Sequence, residues 1–207
     1  MQIVEENSLD SATKKPALKR RYHHGDLRAA LVATGLKMLA STRVEDFSLR
    51  EVARDIGVSV AAIYRHFPDK TAMFQALALE GIERLGLAQL QASEAAGGGV
   101  KGFSASGRAY VRFALANPSL FRLIMSHAMV VDTARMSSDS ASLAMRLLID
   151  SVQALVPQAS ATEVRIHALR AWSEVHGLTM LMLEKQVPQD DSLIDVVVDA
   201  QKYAWLT

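Results

Sequence analysis

Apolar side chains recur at helical spacing along most of the chain, most clearly between residues 48 and 70. One stripe at positions i, i+3, i+4 and i+7 contains Leu49, Val52, Ala53 and Ile56. Ser48 precedes this stripe as a helix cap, and Gly57 follows it, where a residue that accepts positive φ ends a helix. Ser59 is placed to cap a second helix that runs to about His66. The pattern predicts two short helices joined by a tight turn.

The same periodicity predicts further helices on both sides of this pair. A helix begins near Gly25, and a long helix from Asp69 to about Ala96 is followed by a loop at three successive glycines, 97–99. Later helices are expected over 103–116, from Pro118 onward, over 143–155, over 161–185 and over 192–206, with a polar loop at 132–141. The sequence shows no strand pattern, so the predicted fold class is all-α.

The composition fits a helical globular protein and excludes several other classes. Half of the 207 residues are hydrophobic, enough for a sizeable core, and the chain contains no cysteine, which rules out disulfides and thiolate metal sites. No run of about 18 apolar residues occurs, and the first residues lack the charged start and apolar core of a signal peptide. We therefore expect a cytoplasmic protein without a membrane span.

Positive charge is concentrated near the N-terminus, although the net charge of the chain is only +1. Residues 14–28 contain six lysine or arginine side chains and a single acidic one, Asp26. We expect residues 1–21 to form a flexible basic arm that contacts phosphates beside the helix pair. The alternative is a tail that only increases solubility, which is the commoner role of a charge run taken alone.

The helix pair resembles the DNA-binding signature of TetR-type transcriptional regulators. The resemblance rests on Gly57-Val58-Ser59 in the turn and on the sequence IYRHFPDK from Ile63 to Lys70. It implies a helix-turn-helix whose second helix enters the major groove of DNA, within a three-helix domain over residues 22–70. The alternative is an ordinary helical hairpin, although such hairpins lack this polar outer face.

The outer face of the second helix carries most of the predicted DNA contacts. Its first turn is small and apolar, and such side chains pack on thymine methyl groups but form no bidentate hydrogen bonds. Arg65 is the candidate for reading guanine or binding phosphate, and the resemblance assigns Tyr64, His66 and Lys70 to the DNA backbone. A purely packing role is the alternative for Tyr64. The predicted contacts are Ser48 and Arg50 from the first helix, with Ser59, Val60, Ala61, Tyr64, Arg65, His66 and Lys70 beyond the turn.

A second resemblance covers the C-terminal part of the chain. The segment YVRFALANPSLFR from Tyr110 to Arg122 and the motif Trp172-x-x-x-His176-Gly177 resemble the WHG-type C-terminal domain of some TetR-type regulators. The resemblance implies a helical effector-binding and dimerisation domain over residues 71–207. The predicted pocket, for a small and mostly apolar ligand, is lined by Tyr110, Phe113, Phe121, Met125, Trp172, His176 and Met180. Plain core filling is the alternative for the methionines.

The last two predicted helices favour assembly as a homodimer. Residues 168–183 are apolar almost all round, and residues 192–206 are similar. A helix that is hydrophobic on all sides is buried on all sides, and one protomer would struggle to cover both. Pairing each helix with its symmetry mate gives a four-helix interface, and a symmetric dimer is expected to bind a palindrome-like double-stranded DNA operator.

These observations predict a sequence-specific DNA-binding regulator that is not an enzyme and needs no cofactor, and that represses transcription until a small ligand releases it. No metal site is expected, because the six histidines do not have the spacing of chelating ligands. One alternative is an enzyme that uses Trp172, Glu174 and His176, but no nucleophile, base and orienting residue form a set. Another is a regulator whose effector is a partner protein, which a filled C-terminal core would favour.

Overall fold

The computed structural model describes residues 27–127, 142–203 and 205, and within them the chain forms nine α-helices, a 3₁₀ turn and no strand. The helices are α1 Leu27–Leu39, α2 Leu49–Ile56, α3 Val60–Tyr64, α4 Lys70–Ala95, α5 Gly99–Ala116, α6 Pro118–His127, α7 Leu143–Leu155, α8 Ala161–Leu183 and α9 Asp191–Val197. The all-α prediction is confirmed. The basic arm, the predicted helix start at Gly25 and the polar loop at 132–141 lie outside the described residues.

Local hydrogen bonds explain the two short helices and the turn between them. The Ser48 hydroxyl accepts the N–H of Glu51 at 3.4 Å, which caps α2. Gly57 adopts φ +80°, and its N–H donates to the Ala53 carbonyl at 2.9 Å, so α2 ends there. Ser59 then caps α3 by accepting the N–H of Ala62 at 3.2 Å. Regular α-helix ends at Tyr64, two residues before the predicted end at about His66.

The core of the N-terminal part joins α1, α2 and α3 to the start of α4 and to α6. Leu31, Val52 and Ile63 are fully buried in it, and α6 contributes Leu120, Leu123 and Ile124. The rings of Phe47 and Phe74 meet edge to face with their centroids 5.2 Å apart. This core, which we call the first cluster, therefore extends beyond the helix-turn-helix and includes one face of α6.

Helix α4 is the central element of the described chain, because it packs against α1, α5, α6 and α7. Two of its glycines lie where neighbouring helices come closest. A Cβ atom on Gly81 would stand 2.8 Å from Leu120 Cδ1 of α6, and one on Gly86 would stand 2.8 Å from the backbone nitrogen of Ala144 at the start of α7. Helices α6 and α7 thus approach α4 to a distance that a larger residue would prevent.

The predicted single helix over 192–206 is wrong. Helix α9 ends at Val197, and a separate 3₁₀ turn covers Ala200–Lys202. The β-branched residues 196–198 are poor helix formers, and the Asp199 carboxylate starts the new turn by accepting the N–H of Gln201 at 3.2 Å. The helix predicted over 103–116 also differs, because α5 begins four residues earlier, at Gly99.

The C-terminal part contains two further cores. The second cluster lies among α4, α5, α6, α8 and α9 and includes Leu85, Tyr110, Phe121, Met182 and Ile194. The third lies among α5, α7, α8 and the C-terminal segment and includes Phe103, Val152 and Ala168. None of the helices in the described residues is both long and apolar enough to cross a membrane.

Candidate nucleic-acid interface and effector site

Helix α3 presents a small exposed surface on a rigid support. Ala61, Arg65 and Tyr64 are exposed, and Tyr64 keeps 50% of its surface accessible. On the opposite side Ile63 and the following Phe67 are buried in the first cluster. The sequence prediction of an outer and an inner face is confirmed, and the ring of Tyr64 is half exposed rather than enclosed in the core.

Cationic side chains surround this surface. The Arg28 guanidinium of α1 lies 5.0 Å from the centroid of the Phe67 ring, and Lys70 Nζ lies 5.1 Å from that of Phe74. Among the described residues neither Arg50 nor Arg65 forms an ion pair, so their charges are free for an anion. Lys70 is the first residue of α4, where the partial positive charge of the helix N-terminus repels its ammonium group. A bound phosphate would compensate both positive charges.

The remaining predicted DNA-contacting residues lie on or beside the two short helices. Ser48 and Ser59 serve as caps, Val60 and His66 are half-buried, and Arg50 extends from the first turn of α2 into solvent. The structure therefore brings the predicted set together around one turn. No DNA is present, so their contacts with DNA stay a prediction.

A hydrogen-bonded aromatic cluster lies at the centre of the predicted effector site. The Trp172 Nε1–H donates to the Tyr110 hydroxyl oxygen at 3.2 Å, and that hydroxyl lies 3.0 Å from His176 Nδ1. Phe121 packs edge to face on Tyr110 with centroids 5.6 Å apart, and its centroid is 6.0 Å from that of His176. We name these four residues the aromatic cluster.

The bonding pattern is compatible with a neutral His176. An indole N–H can only donate, so the Tyr110 oxygen accepts in that bond, and its own O–H can donate to the Nδ1 of a neutral His176 that carries its proton on Nε2. Burial lowers the pKa of His176, which favours the same neutral form, and burial raises the pKa of Tyr110 to about 12.

Three other residues of the predicted pocket lie around the aromatic cluster rather than in it. Met125 and Met180 are half-buried and pack against the second cluster. Phe113 also packs there, but its side chain lines an open groove between α4 and α5. Tyr110 and Phe121 are buried against their neighbours, whereas Trp172 and His176 are half-buried.

Sequence reasoning missed the groove between α4 and α5. It encloses about 460 Å³ and is lined by Ala88, Ala92, Ala105, Arg108, Ala109, Arg112, Phe113, Ala116 and Asn117. At one rim the Arg112 Nε is 2.8 Å from an Asp191 oxygen, and the Arg108 Nε is 3.4 Å from an Asp195 oxygen. The alanines that line the groove carry no functional group that a sequence could reveal. The spacing of four residues between Arg108 and Arg112, and again between Asp191 and Asp195, could have indicated that α5 pairs with α9.

Of the three residues in the enzyme alternative, Trp172 and His176 meet in the aromatic cluster, and Glu174 has a different partner. Glu174 bonds to the hydroxyl of Tyr203 instead of facing His176, and burial raises the pKa of its carboxyl. In the part of the chain that the structure describes, no three histidine or acidic side chains are grouped as metal ligands.

Helix α8 carries an apolar face that the described residues leave uncovered. Ile166, Leu169 and Leu181 are exposed on it, and Val196 of α9 is exposed as well. A Cβ atom added to Gly177 would meet no atom within 4 Å. This is the helix for which the sequence predicts a partner from a second protomer.

Comparison with protein families gives two matches that do not overlap. Residues 31–77 match the model described as "Bacterial regulatory proteins, tetR family". Residues 103–201 match the model described as "Tetracyclin repressor-like, C-terminal domain".

Individual relatives extend the match across both parts. The nucleoid occlusion factor SlmA of Haemophilus influenzae strain PittGG is 32% identical over 135 residues, which is 62% of this chain and 59% of that protein. SlmA of Mannheimia succiniciproducens is 31% identical over 160 residues, or 74% of this chain and 73% of that protein. A solved structure of a protein of unknown function from Rhodococcus sp. RHA1 superposes with a TM-score of 0.67 at 30% identity, covering 88% of this chain and 94% of the other.

The matched segments include the helix-turn-helix, the aromatic cluster and the whole of α8. The chain therefore belongs to the TetR family of DNA-binding transcription regulators.

Proposed function

We propose that this regulator is a homodimeric repressor that leaves its operator when a small, mostly apolar ligand enters the aromatic cluster. The observation that carries the proposal is the position of α6. Its residue Phe121 packs on Tyr110 and His176, while Leu120, Leu123 and Ile124 of the same helix belong to the first cluster. A ligand that separates Phe121 from Tyr110 displaces the helix against which the DNA-binding part is packed.

The uncovered face of α8 supports the dimer. An apolar surface on a helix is stabilised when a second protomer covers it, and a twofold axis then duplicates every contact. Two recognition helices related by that axis fit a palindrome-like operator. Ligand and operator compete because each favours a different spacing of the recognition helices, which makes the coupling reciprocal.

The proposed DNA contacts separate into two types. Arg65 and the small first turn of α3 face the bases, while Tyr64, His66, Lys70, Ser48 and Arg50 hold phosphates. The basic arm over residues 1–21 adds further phosphate contacts. These assignments are supported by the exposed face of α3 and by the lack of an ion pair at Arg50 and Arg65 among the described residues.

The DNA-binding assignments are tested by titration after a preferred duplex has been selected from a random pool. Lys70→Ala should weaken binding to every sequence and flatten the salt dependence by about one unit, because one phosphate contact is lost. Arg65→Ala should also relax sequence preference, and removal of residues 1–20 should weaken binding without unfolding. Lys101→Ala, which removes an exposed lysine of α5 outside the helix-turn-helix, is the matched control. Equal effects of Lys70→Ala and Lys101→Ala would contradict the assignment.

The effector proposal is tested by fluorescence of Trp172 in a Trp205→Phe background. Apolar aromatic compounds are screened, and a true effector should change the signal and release DNA over the same concentration range. Its effect should disappear in Trp172→Ala and His176→Ala. A compound that still releases DNA from both variants would place the effector site elsewhere.

A second candidate function is a regulator whose effector is a partner protein. It is favoured by the mutual contact of Tyr110, Phe121, Trp172 and His176, which leaves these side chains packed on one another. Under this candidate, larger side chains in the cluster would leave regulation intact as long as the fold persists. Phe121→Trp therefore separates the two, because it should abolish a response to a small ligand only.

A further inference from the structure

The open groove between α4 and α5 is a second candidate ligand site, separate from the aromatic cluster. We propose that it binds a single-chain anionic amphiphile, a molecule with a carboxylate or phosphate head and an unbranched apolar tail. Its volume of about 460 Å³ is within the range of small-molecule sites.

The floor of the groove fits an extended apolar tail. Five alanines line it, two on α4 and three on α5, and their small side chains leave room between the helix backbones. The lining of α5 runs from Ala105 to Asn117, about three helical turns or about 18 Å. An open groove of that length with a floor of small side chains matches a linear chain better than a planar ring system.

The rim of the groove selects a negative head group. Arg108 and Arg112 both line the groove, one turn apart on α5. Guanidinium groups bind carboxylates and phosphates through paired, charge-assisted hydrogen bonds. The same rim would repel a cationic head, so the groove distinguishes amphiphiles by the sign of their charge.

The present partners of the two arginines can be exchanged for a ligand. Asp191 pairs with Arg112, and Asp195 lies 3.4 Å from Arg108 and 3.7 Å from Arg112. Both aspartates are mostly exposed on α9, and ion pairs in such positions contribute little to stability. Replacing them with the head of an amphiphile therefore costs little, and burial of the tail supplies the driving force.

The experiment is calorimetric titration of the full-length protein with decanoate, decyl phosphate and decyltrimethylammonium, each below its micelle concentration. The two anions share a tail with the cation, so a difference isolates the head. We expect saturable binding of both anions and at least about tenfold weaker binding of the cation. Lengthening decanoate to dodecanoate should tighten binding about tenfold, because two methylenes are added to the buried tail.

Variants locate the site. Arg112→Met should weaken binding of decanoate about tenfold or more, whereas Arg122→Met, on α6, should leave it unchanged. Combined Asp191→Asn and Asp195→Asn should tighten binding, because the competing carboxylates are gone, and Asp150→Asn on α7 is the control. Ala109→Trp should block the groove and abolish binding of decanoate. If that variant does not fold, Ala116→Leu, at an exposed position of the same groove, should narrow it and weaken binding.

The possible results separate this site from the proposed effector site. Tyr110→Phe should leave decanoate affinity unchanged, because the hydroxyl of Tyr110 lies in the aromatic cluster. The proposal is overturned if the cation binds as tightly as the anions, or if Arg112→Met and Arg122→Met behave alike. It is also overturned if Tyr110→Phe abolishes binding while Arg112→Met preserves it. None of these results affects the release of DNA by a ligand at Trp172.

Discussion

The hydroxyl of Tyr110 forms hydrogen bonds with two side chains of the aromatic cluster, so its removal should affect the cluster more than the loss of a single bond would. The residue is 4% exposed, so little water is available to replace the bonds to Trp172 and His176. Tyr110→Phe removes both bonds and should lower the free energy of unfolding by about 1–3 kcal/mol, the cost of unpaired buried polar groups. Urea unfolding measures this change.

Tyr64→Phe is the matched control for that substitution. The Tyr64 ring is half exposed, so loss of its hydroxyl should change the free energy of unfolding by less than about 0.5 kcal/mol. If the two variants are equally stable, the Tyr110 hydroxyl does not hold the cluster together.

The neutral state of His176 predicts a dependence of stability on pH. Burial lowers the pKa of His176 from its ordinary value of 6.5, so the unfolded chain binds a proton more readily than the folded protein. This contribution to stability is complete above pH 6.5 and is lost as the pH falls through 6.5 toward the lower pKa of the folded state. Urea unfolding at several pH values, for the parent and for His176→Gln, isolates the contribution.

The parent should lose more stability than His176→Gln between about pH 7 and pH 5, because only the parent must protonate this imidazole. The raised pKa of Glu174 affects both proteins equally and cancels in the difference. Parallel curves for the two proteins would show that His176 keeps its ordinary pKa.

At the scale of the elements, helices with strong local end signals were predicted well. Helix α7 has the predicted bounds, α4 begins after the Asp69 cap, and α6 begins at Pro118. The Ser160 and Glu163 capping box is complete, since Ser160 N–H and Glu163 N–H each bond to the other side chain. These signals act within four residues, so the sequence contains all the information needed.

The C-terminal segment could not be predicted in the same way, because tertiary contacts decide its path. Trp205 stacks on His167 of α8 with ring centroids 4.6 Å apart and on Tyr203 at 5.4 Å. His167 is almost forty positions away in the sequence, and helical periodicity does not report such a contact. The apolar spacing of residues 192–206 predicts one helix, but these ring contacts hold the chain in another conformation.

Two glycines of α4 lead to a prediction about packing between elements. Gly86→Ala places a Cβ against the backbone of α7, which cannot move independently, and should lower the free energy of unfolding by about 1–3 kcal/mol. Gly81→Ala meets the ends of the Leu120 and Ile124 side chains, which can change rotamer. Its cost is partly offset by the better helix propensity of alanine, worth about 1 kcal/mol.

Thermal unfolding of both variants tests this order, and each serves as the control for the other because they share a helix and a substitution. Gly86→Ala should have the lower Tm. The reverse order would mean that α6, and not α7, is the neighbour that sets the position of α4.

At the scale of the whole molecule, the sequence predicts which residues belong to the effector site more reliably than it predicts which of them contact one another. Tyr110, Phe121, Trp172 and His176 were predicted to share a site, and they do contact one another. Phe113 was assigned to the same pocket, yet it lines the groove between α4 and α5. Tyr110 and Phe113 are three residues apart on α5, so their side chains leave the same side of that helix. The packing of α4 and α8 against α5 decides which neighbours each of the two side chains contacts.

The apolar face of α8 is left uncovered by the described residues of a single protomer. Leu169 is 41% exposed there, and its neighbours on the face are Ile166, Gly177 and Leu181. If two protomers pair through this face, Leu169→Asp buries an unpaired carboxylate in each half of the interface, which is expensive in an apolar contact. The protomer itself should keep its fold, because Leu169 is outside the three clusters. Light scattering should therefore show a monomer whose circular dichroism remains helical.

Leu79→Asp is the matched control, since Leu79 on α4 is 62% exposed and is not on the α8 face. This variant should remain a dimer and bind DNA like the parent. Leu169→Asp should bind the palindrome-like duplex more weakly. In a dimer, binding of one half-site raises the effective concentration of the second recognition helix at the other half-site, and separate monomers lack this gain. Its affinity for a single half-site should stay unchanged, since α3 is untouched. A monomeric Leu79→Asp beside a dimeric Leu169→Asp would transfer the interface to α4.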